Sequence, residues 1–272
     1  MKRPAAPRIS GVGSEFERRA GRAEMLARSA TAVEEPLRFA AGLYRVQGLL
    51  AGELEQAHAR EPLTGSLEKD SGRFLDRIGS VLAYAAEEGP ELLAAEALAR
   101  QADLPSTASS RLLVAWTGDR PAAEDYLSRT ILRPYAETLR ALQTPPDRLH
   151  RQGRCPFCGG PPWIGVRRDA GEMEGARRLL GCSLCGLEWS FQRVVCPSCF
   201  EEDPYKLPMF RSDAHPTVRI EACETCRRYV KSIDLSEDAR PIPEVDDLVS
   251  LSMDLWAAEQ GWTRVEPGLA GL

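Results

Sequence analysis

Cys155-Pro156-Phe157-Cys158-Gly159 and Cys182-Ser183-Leu184-Cys185-Gly186, with 23 residues between the two pairs, decide how the second half of this chain folds. Two thiolates three positions apart on a tight turn grip one tetrahedral ion from one side, and a second such pair closes the coordination sphere. The glycine after each second cysteine supplies the positive φ that such a knuckle needs. Adding 41 to these four cysteine numbers gives Cys196, Cys199, Cys223 and Cys226, which are the remaining four cysteines of the chain. One module has been duplicated in tandem, and its eight cysteines imply two four-sulfur metal sites.

Beyond the cysteines the repeat is thin. Pro156 aligns with Pro197, Arg178 with Arg219, and Leu179 with Ile220. The spacing within each module allows a small hairpin that sets the second knuckle opposite the first, which is the layout of a zinc ribbon or rubredoxin fold. Trp163 to Val166 and Arg178 to Leu180 flank Asp169-Ala170-Gly171, and Trp189-Ser190-Phe191 leads into Val194-Val195, giving about three short strands. The second module carries Phe200 and Arg227 where the first has glycine, so its knuckles are expected to be looser or more decorated. Each ion is expected to be held by the two pairs of one module, with interleaved pairing as the alternative. A ribbon this small has almost no apolar core. Its stability must come from metal, worth about 10–16 kcal/mol in zinc-finger peptides.

Residues 1–150 contain no cysteine and abound in Ala, Leu, Arg and Glu. Phe39, Leu43, Val46, Leu50 and Leu54 fall on one face of a helix, as do Ile131, Tyr135, Leu139 and Leu142. Phe74, Ile78, Val81 and Ala85 make a third stripe; Leu104-Pro105 followed by Ser106 reads as a stop and a new N-cap, and Pro134 should kink or divide its helix. Five to seven packed helices bury such stripes against one another. A last helix is expected from about Glu244 to Gln260, with Val245, Leu248, Leu251 and Leu255 inward, Trp256 and Trp262 against the ribbons, and Gly261 as the stop. The fold class is therefore α+β: an N-terminal all-α helical domain, two tandem rubredoxin-like or zinc-ribbon modules, and a C-terminal helix. The expected divisions are a disordered terminus at 1–13, the helical domain at 14–146, the ribbons at 147–194 and 195–240, and the last helix with a frayed tail at 241–272.

No secretory or twin-arginine export signal is legible at the N-terminus, and no apolar run of 18 residues occurs, so a cytoplasmic chain with reduced thiols and no membrane span is expected. That favours metal over disulfides. Lys and Arg number 20 against 21 acids in residues 1–150 and 15 against 19 in the rest, so neither half is a polycation, which argues against nucleic acid. His58, His150 and His215 are far apart in sequence and are not needed as ligands. Asp246-Asp247 and Glu201-Glu202-Asp203 read as solvated acidic surface, and the pairs Arg167-Arg168, Arg177-Arg178 and Arg227-Arg228 sit in a stretch too neutral for strong phosphate-backbone binding. Four cysteines per ion leave no open position for water, so no catalytic residues are assigned.

The chain resembles the formate dehydrogenase accessory proteins called FdhE. The likeness rests on the four Cys-x-x-Cys pairs in this order, on Cys182 through Trp189 with Arg193-Val194 just after, on Asp246-Asp247-Leu248 with Leu251, and on Glu35-Pro36-Leu37-Arg38-Phe39 with Gln47. The resemblance implies a cytoplasmic protein that is not an enzyme and that assists maturation of the formate dehydrogenase catalytic subunit, its partner. It also implies rubredoxin-like iron sites at Cys155, Cys158, Cys182 and Cys185 and at Cys196, Cys199, Cys223 and Cys226. Four-sulfur chemistry itself accepts iron or zinc. A zinc-ribbon nucleic-acid or transcription protein and a thiol or iron redox protein are the alternative functions.

Overall fold

The computed structural model describes residues 11–73, 75–117, 125–169, 177–236 and 238–271. Phe74 and residues 1–10 of the expected disordered terminus lie outside these; Val12 and Gly13, placed in that terminus, open a helix instead. The helical half comprises α1 (Val12–Ala27), α2 (Glu34–Arg60), the single turn α3 (Leu67–Asp70), α4 (Gly79–Glu88), α5 (Glu91–Gln101), α6 (Pro105–Thr117) and α7 (Tyr126–Ala141). Leu43, Leu50 and Leu54 of α2 meet Ile131, Tyr135 and Leu139 of α7 in one core, the burial their periodicity demands. Pro134 does not divide α7. Pro105 is the first residue of α6 rather than a stop before it, because its missing N–H costs nothing in a first turn.

Helices α1 and α2 cross through glycine. A Cβ on Gly48 would lie 3.1 Å from Phe16 Cβ and 3.2 Å from the Gly13 carbonyl oxygen. Gly48→Val should therefore force the two helices apart and lower stability by about 1–3 kcal/mol, the usual cost of overpacking. Unchanged or higher resistance to urea would show that the crossing tolerates side chains.

After the helices come β1 (Pro162–Arg168), β2 (Arg177–Cys182), β3 (Glu188–Ser190), β4 (Met209–Arg211), β5 (Val218–Cys223) and β6 (Arg228–Asp234). The chain then forms α8 (Pro243–Asp246), a 3-10 turn at Asp247–Ser250, α9 (Leu251–Glu259) and the two-residue strand β7 (Thr263–Arg264). The sequence repeat becomes a structural one: strands β2 and β5 are offset by the same 41 positions as the cysteines. Each module is an antiparallel trio, β1 with β2 and β3, and β6 with β5 and β4. The trios do not stand apart. Strand β1 pairs in parallel with β6, Ile164 opposite Lys231, so the order β3-β2-β1-β6-β5-β4 makes one sheet, with β7 added beside β6.

The C-terminal segment ties both halves together. Val245 and Leu248 pack with Phe16, Leu37 and Tyr44 of the helical half, while Met253 and Ala257 pack on the sheet. Leu255, expected inward, is 51% exposed, because the 3-10 turn at Asp247–Ser250 shifts the helical phase. Phe210 of β4 meets both Trp256 and Trp262, with ring centroids 4.9 and 6.3 Å apart, and Gly261 ends the helix at φ 75°. Pro267, Gly268 and Leu269 of the tail expected to fray are instead docked: the Arg129 guanidinium donates to the Pro267 and Gly268 carbonyls at 2.7 and 3.1 Å, and the Tyr126 hydroxyl donates to Leu269 O at 3.0 Å.

Candidate metal centres

Each four-sulfur group is built from one turn before a module's strands and one turn inside them. In the first, Cys155 and Cys158 lie on the turn preceding β1, while Cys182 ends β2 and Cys185 follows on its turn. The Gly159 amide donates to Cys155 O at 2.9 Å, Cys155 N to Gly160 O at 2.9 Å, and Cys182 N to Leu187 O at 2.9 Å. The amides of Leu184 and Cys185 point at Cys182 Sγ, both at 3.4 Å. Such N–H donors stabilise a thiolate on the ion.

The sulfurs converge within modules. Cys155 Sγ lies 3.6 Å from Cys185 Sγ and Cys158 Sγ 3.4 Å from Cys182 Sγ. In the second group Cys196 lies 3.7 Å from Cys226 and Cys199 3.6 Å from Cys223. All four sulfur atoms of each group fall within 4.8 Å of one another. Metal–sulfur bonds of about 2.3 Å in a tetrahedron put sulfurs about 3.8 Å apart, close to the 3.4–3.7 Å of these pairs, so either group could hold one ion. The arrangement is sequential rather than interleaved.

The second module's knuckles are not looser. Phe200 and Arg227 adopt φ 63° and 55°, matching Gly159 at 68° and Gly186 at 67°, and the Phe200 and Arg227 amides close the same turns on Cys196 O and Cys223 O at 3.0 and 2.9 Å. A side chain in the left-handed region costs about 1–2 kcal/mol. Packing offsets part of that: the Arg227 guanidinium sits 3.7 Å from the Trp262 ring centroid and Phe200 closes on Gly153.

The two centres differ in setting. Cys155, Cys158, Cys182 and Cys185 are buried and share a core with Leu132, Tyr135 and Leu139 of α7, and Arg140 Nε donates to Cys185 O at 2.8 Å. Cys199 is exposed and Cys226 half-buried. Considered as thiols alone, Cys155 is held well below its ordinary range by the Cys158 hydrogen bond, whereas burial drives Cys182 well above. A bound cation would draw off all four protons. No histidine belongs to either group: His58 Nδ1 accepts from the Leu63 amide at 3.1 Å, and His215 Nε2 meets Ser252 Oγ at 3.1 Å.

The acidic pair Asp246-Asp247 is not solvated surface. Asp247 is buried with Asp254 among Lys231, Arg264 and the Tyr229 hydroxyl; Asp247 lies 3.1 Å from Lys231 Nζ and 2.8 Å from Arg264 Nη2. Asp246 pairs with Arg22 of α1. Of the arginine pairs, Arg178 is buried on Glu221 at 2.8 Å, Arg168 holds Glu188 at 2.8 Å and Arg167 lies 3.2 Å from Asp234, so these are structural. Glu201 serves locally, accepting from the Asp203 amide at 3.0 Å. Sequence reading also missed the network in which Glu137 bridges Arg19 and Arg133, both of which reach Glu244 of α8.

That network sets a pH dependence. Burial alone would raise Glu137, but Arg19 and Arg133 outweigh it and hold its carboxyl below the usual range. Its contribution to stability is therefore complete above the unfolded value of about 4.3 and is lost as pH falls through the lower folded value. The helical half should lose stability below about pH 4.3, and Glu137→Gln should lower the neutral-pH plateau by about 3–5 kcal/mol while flattening that acid limb. An acid limb of unchanged slope in Glu137→Gln would remove Glu137 as its source.

The family model described as FdhE, central domain matches residues 154–193, and that described as FdhE, C-terminal domain matches residues 194–270. A protein FdhE homolog of Pseudomonas putida is 31% identical over 278 residues, spanning 93% of this chain and 86% of that one. One from Aquifex aeolicus is 38% identical over 117 residues, 43% of this chain and 41% of its own length. Among solved structures, the crystal structure of the FdhE protein from Pseudomonas aeruginosa superposes with a TM-score of 0.69 at 25% identity, covering 94% of this chain and 95% of that one.

Proposed function

Because this chain belongs to the FdhE family, we propose that it is a non-catalytic maturation factor that docks in the cytoplasm on the catalytic subunit of formate dehydrogenase during its assembly or activation. Cys155, Cys158, Cys182 and Cys185 would hold one ion, and Cys196, Cys199, Cys223 and Cys226 a second. The observation that carries the reading is that each group brings four sulfurs within 4.8 Å of one another, so an ion held there would have four protein ligands and no position for a water or substrate. Such an ion fixes loops in place rather than turning over a reactant. Iron and zinc both suit this donor set, and ferric iron would colour the protein red while zinc would leave it colourless.

The ribbons are the natural contact. Rigid knuckles present Pro156-Phe157 and Pro197-Ser198 with little entropy left to lose. Beside the second knuckle, the turn Pro204–Lys206 is fixed by a 2.9 Å hydrogen bond from Glu224 N to Lys206 O, and it displays Tyr205 at 94% exposure. Among the described residues no helix is long and apolar enough to cross a membrane. A docked subunit would bury about 1,200–2,000 Å² in total.

Deleting the gene should abolish formate oxidation while leaving the dehydrogenase polypeptide present, and the tagged protein should retain that subunit on affinity capture. Normal formate oxidation in a deletion strain with no second homologue would refute the assignment.

A further inference from the structure

A cleft of about 670 Å³ lies where the helical half meets both metal knuckles, bounded by α5, α6 and the start of α7 on one side and by Gly159, Ser183, Pro197 and Ser198 on the other. Its charge is one-sided. The three carboxylates among its described lining residues are already committed: Glu96 and Asp125 to Arg100, and Glu266 to Arg129 at 3.6 Å. Three further arginines line it with no carboxylate within ion-pair distance among the described residues. Arg148 lies over the Trp116 ring at 4.7 Å, Arg154 has no ion pair, and Arg228 reaches only the Ser198 hydroxyl at 3.5 Å. A fourth, Arg111, is held from outside by Asp103 at 3.1 Å.

Unmatched guanidiniums converging on one concavity are costly to gather and have a clear use. Their planar forks fit phosphate oxygens two at a time. The volume falls in the range of small-molecule sites, about 300–1,000 Å³, rather than that of a folded partner. Hydroxyls of Thr107, Ser110, Ser183 and Ser198 complete the lining and suit a polar ligand body. We propose that this cleft binds a small molecule carrying a diphosphate group, whose paired phosphates would engage Arg148, Arg154 and Arg228. The ligand would then sit against both metal knuckles, so its occupancy would stiffen the junction between the helices and the sheet.

The bland alternative is that these arginines only balance the charge of the thiolates, and the test separates the two. Purified full-length protein is titrated calorimetrically with inorganic pyrophosphate and, separately, with ADP, and its metal content is measured alongside. Binding of both probes with similar affinity marks the bare diphosphate as the recognised group, and stronger ADP binding marks a nucleotide; either supports the site. Arg154 and Arg228 reach the surface, so R154Q/R228Q should fold, keep its metal and bind roughly tenfold or more weakly, the scale expected for lost charge-assisted hydrogen bonds. Absence of binding by either probe at millimolar concentration, unchanged affinity in R154Q/R228Q, or loss of metal from that variant would each overturn the proposal.

Discussion

Replacing Cys155 and Cys158 together by serine is expected to remove one bound ion and to loosen the helical half, whereas the same change at Cys196 and Cys199 removes the other ion and leaves the helices intact. A structural four-ligand site is worth about 10–16 kcal/mol, as much as the whole stability of a typical domain, so either ribbon should unfold locally when its ion is lost. The difference lies in what each centre touches. The first is buried in the same core as Leu132, Tyr135 and Leu139, and Arg140 of α7 is tied to the Cys185 carbonyl. Opening it exposes one wall of the helical core. The second stands at the surface, with Cys199 exposed and Cys226 half-buried. Metal analysis should therefore read one ion lost in each double variant, and hydrogen exchange across α7 should accelerate only in Cys155→Ser/Cys158→Ser. Loss of both ions or of neither would count against independent centres, and equal exchange in both variants would count against the coupling to α7.

The two four-sulfur groups could be read from sequence because a knuckle is local: a Cys-x-x-Cys turn needs nothing beyond its own few residues. The helical stripes were legible for a similar reason, since Leu43, Leu50 and Leu54 announce a buried face through spacing alone. Phe200 and Arg227 misled because composition prices the left-handed turn, at about 1–2 kcal/mol, but does not show what outweighs it, namely four converging sulfurs and the Trp262 ring. The joining of β1 to β6 was invisible in principle. It is a parallel pairing between residues 67 apart, Ile164 with Lys231, and no local pattern encodes it. The misread acids have one hint in hindsight. Tyr229, Lys231 and Ile233 alternate along β6 and so share one face, which places a lysine on a core surface and requires a buried carboxylate to meet it.

Lys231→Met is expected to destabilise the sheet and C-terminal helix by about 3–5 kcal/mol, the cost of breaking a buried ion pair from one side. Lys231 is 0% exposed, and its ammonium contacts Asp254, the Asp247 carboxylate at 3.1 Å and the Asp247 carbonyl at 2.9 Å. Removing it leaves Arg264 as the one cation against two buried carboxylates, Asp247 and Asp254, the latter also accepting from the Tyr229 hydroxyl at 2.8 Å. Burial works to neutralise Asp247, while Arg264 and Lys231 outweigh it and hold its carboxyl below the usual range. Without Lys231 that carboxyl should rise, so the variant should lose less stability than the parent on acidification. Removing the opposite charge as well tests whether the loss is an unpaired charge or lost packing. Lys231→Met/Asp254→Leu should recover part of the deficit, because replacing both partners by apolar side chains leaves one carboxylate on one guanidinium. Urea denaturation followed by tryptophan fluorescence reports the region through Trp163 and Trp262, which pack in the same core. Additive losses in the double variant would mean that the lysine stabilises by its stem and not by its charge.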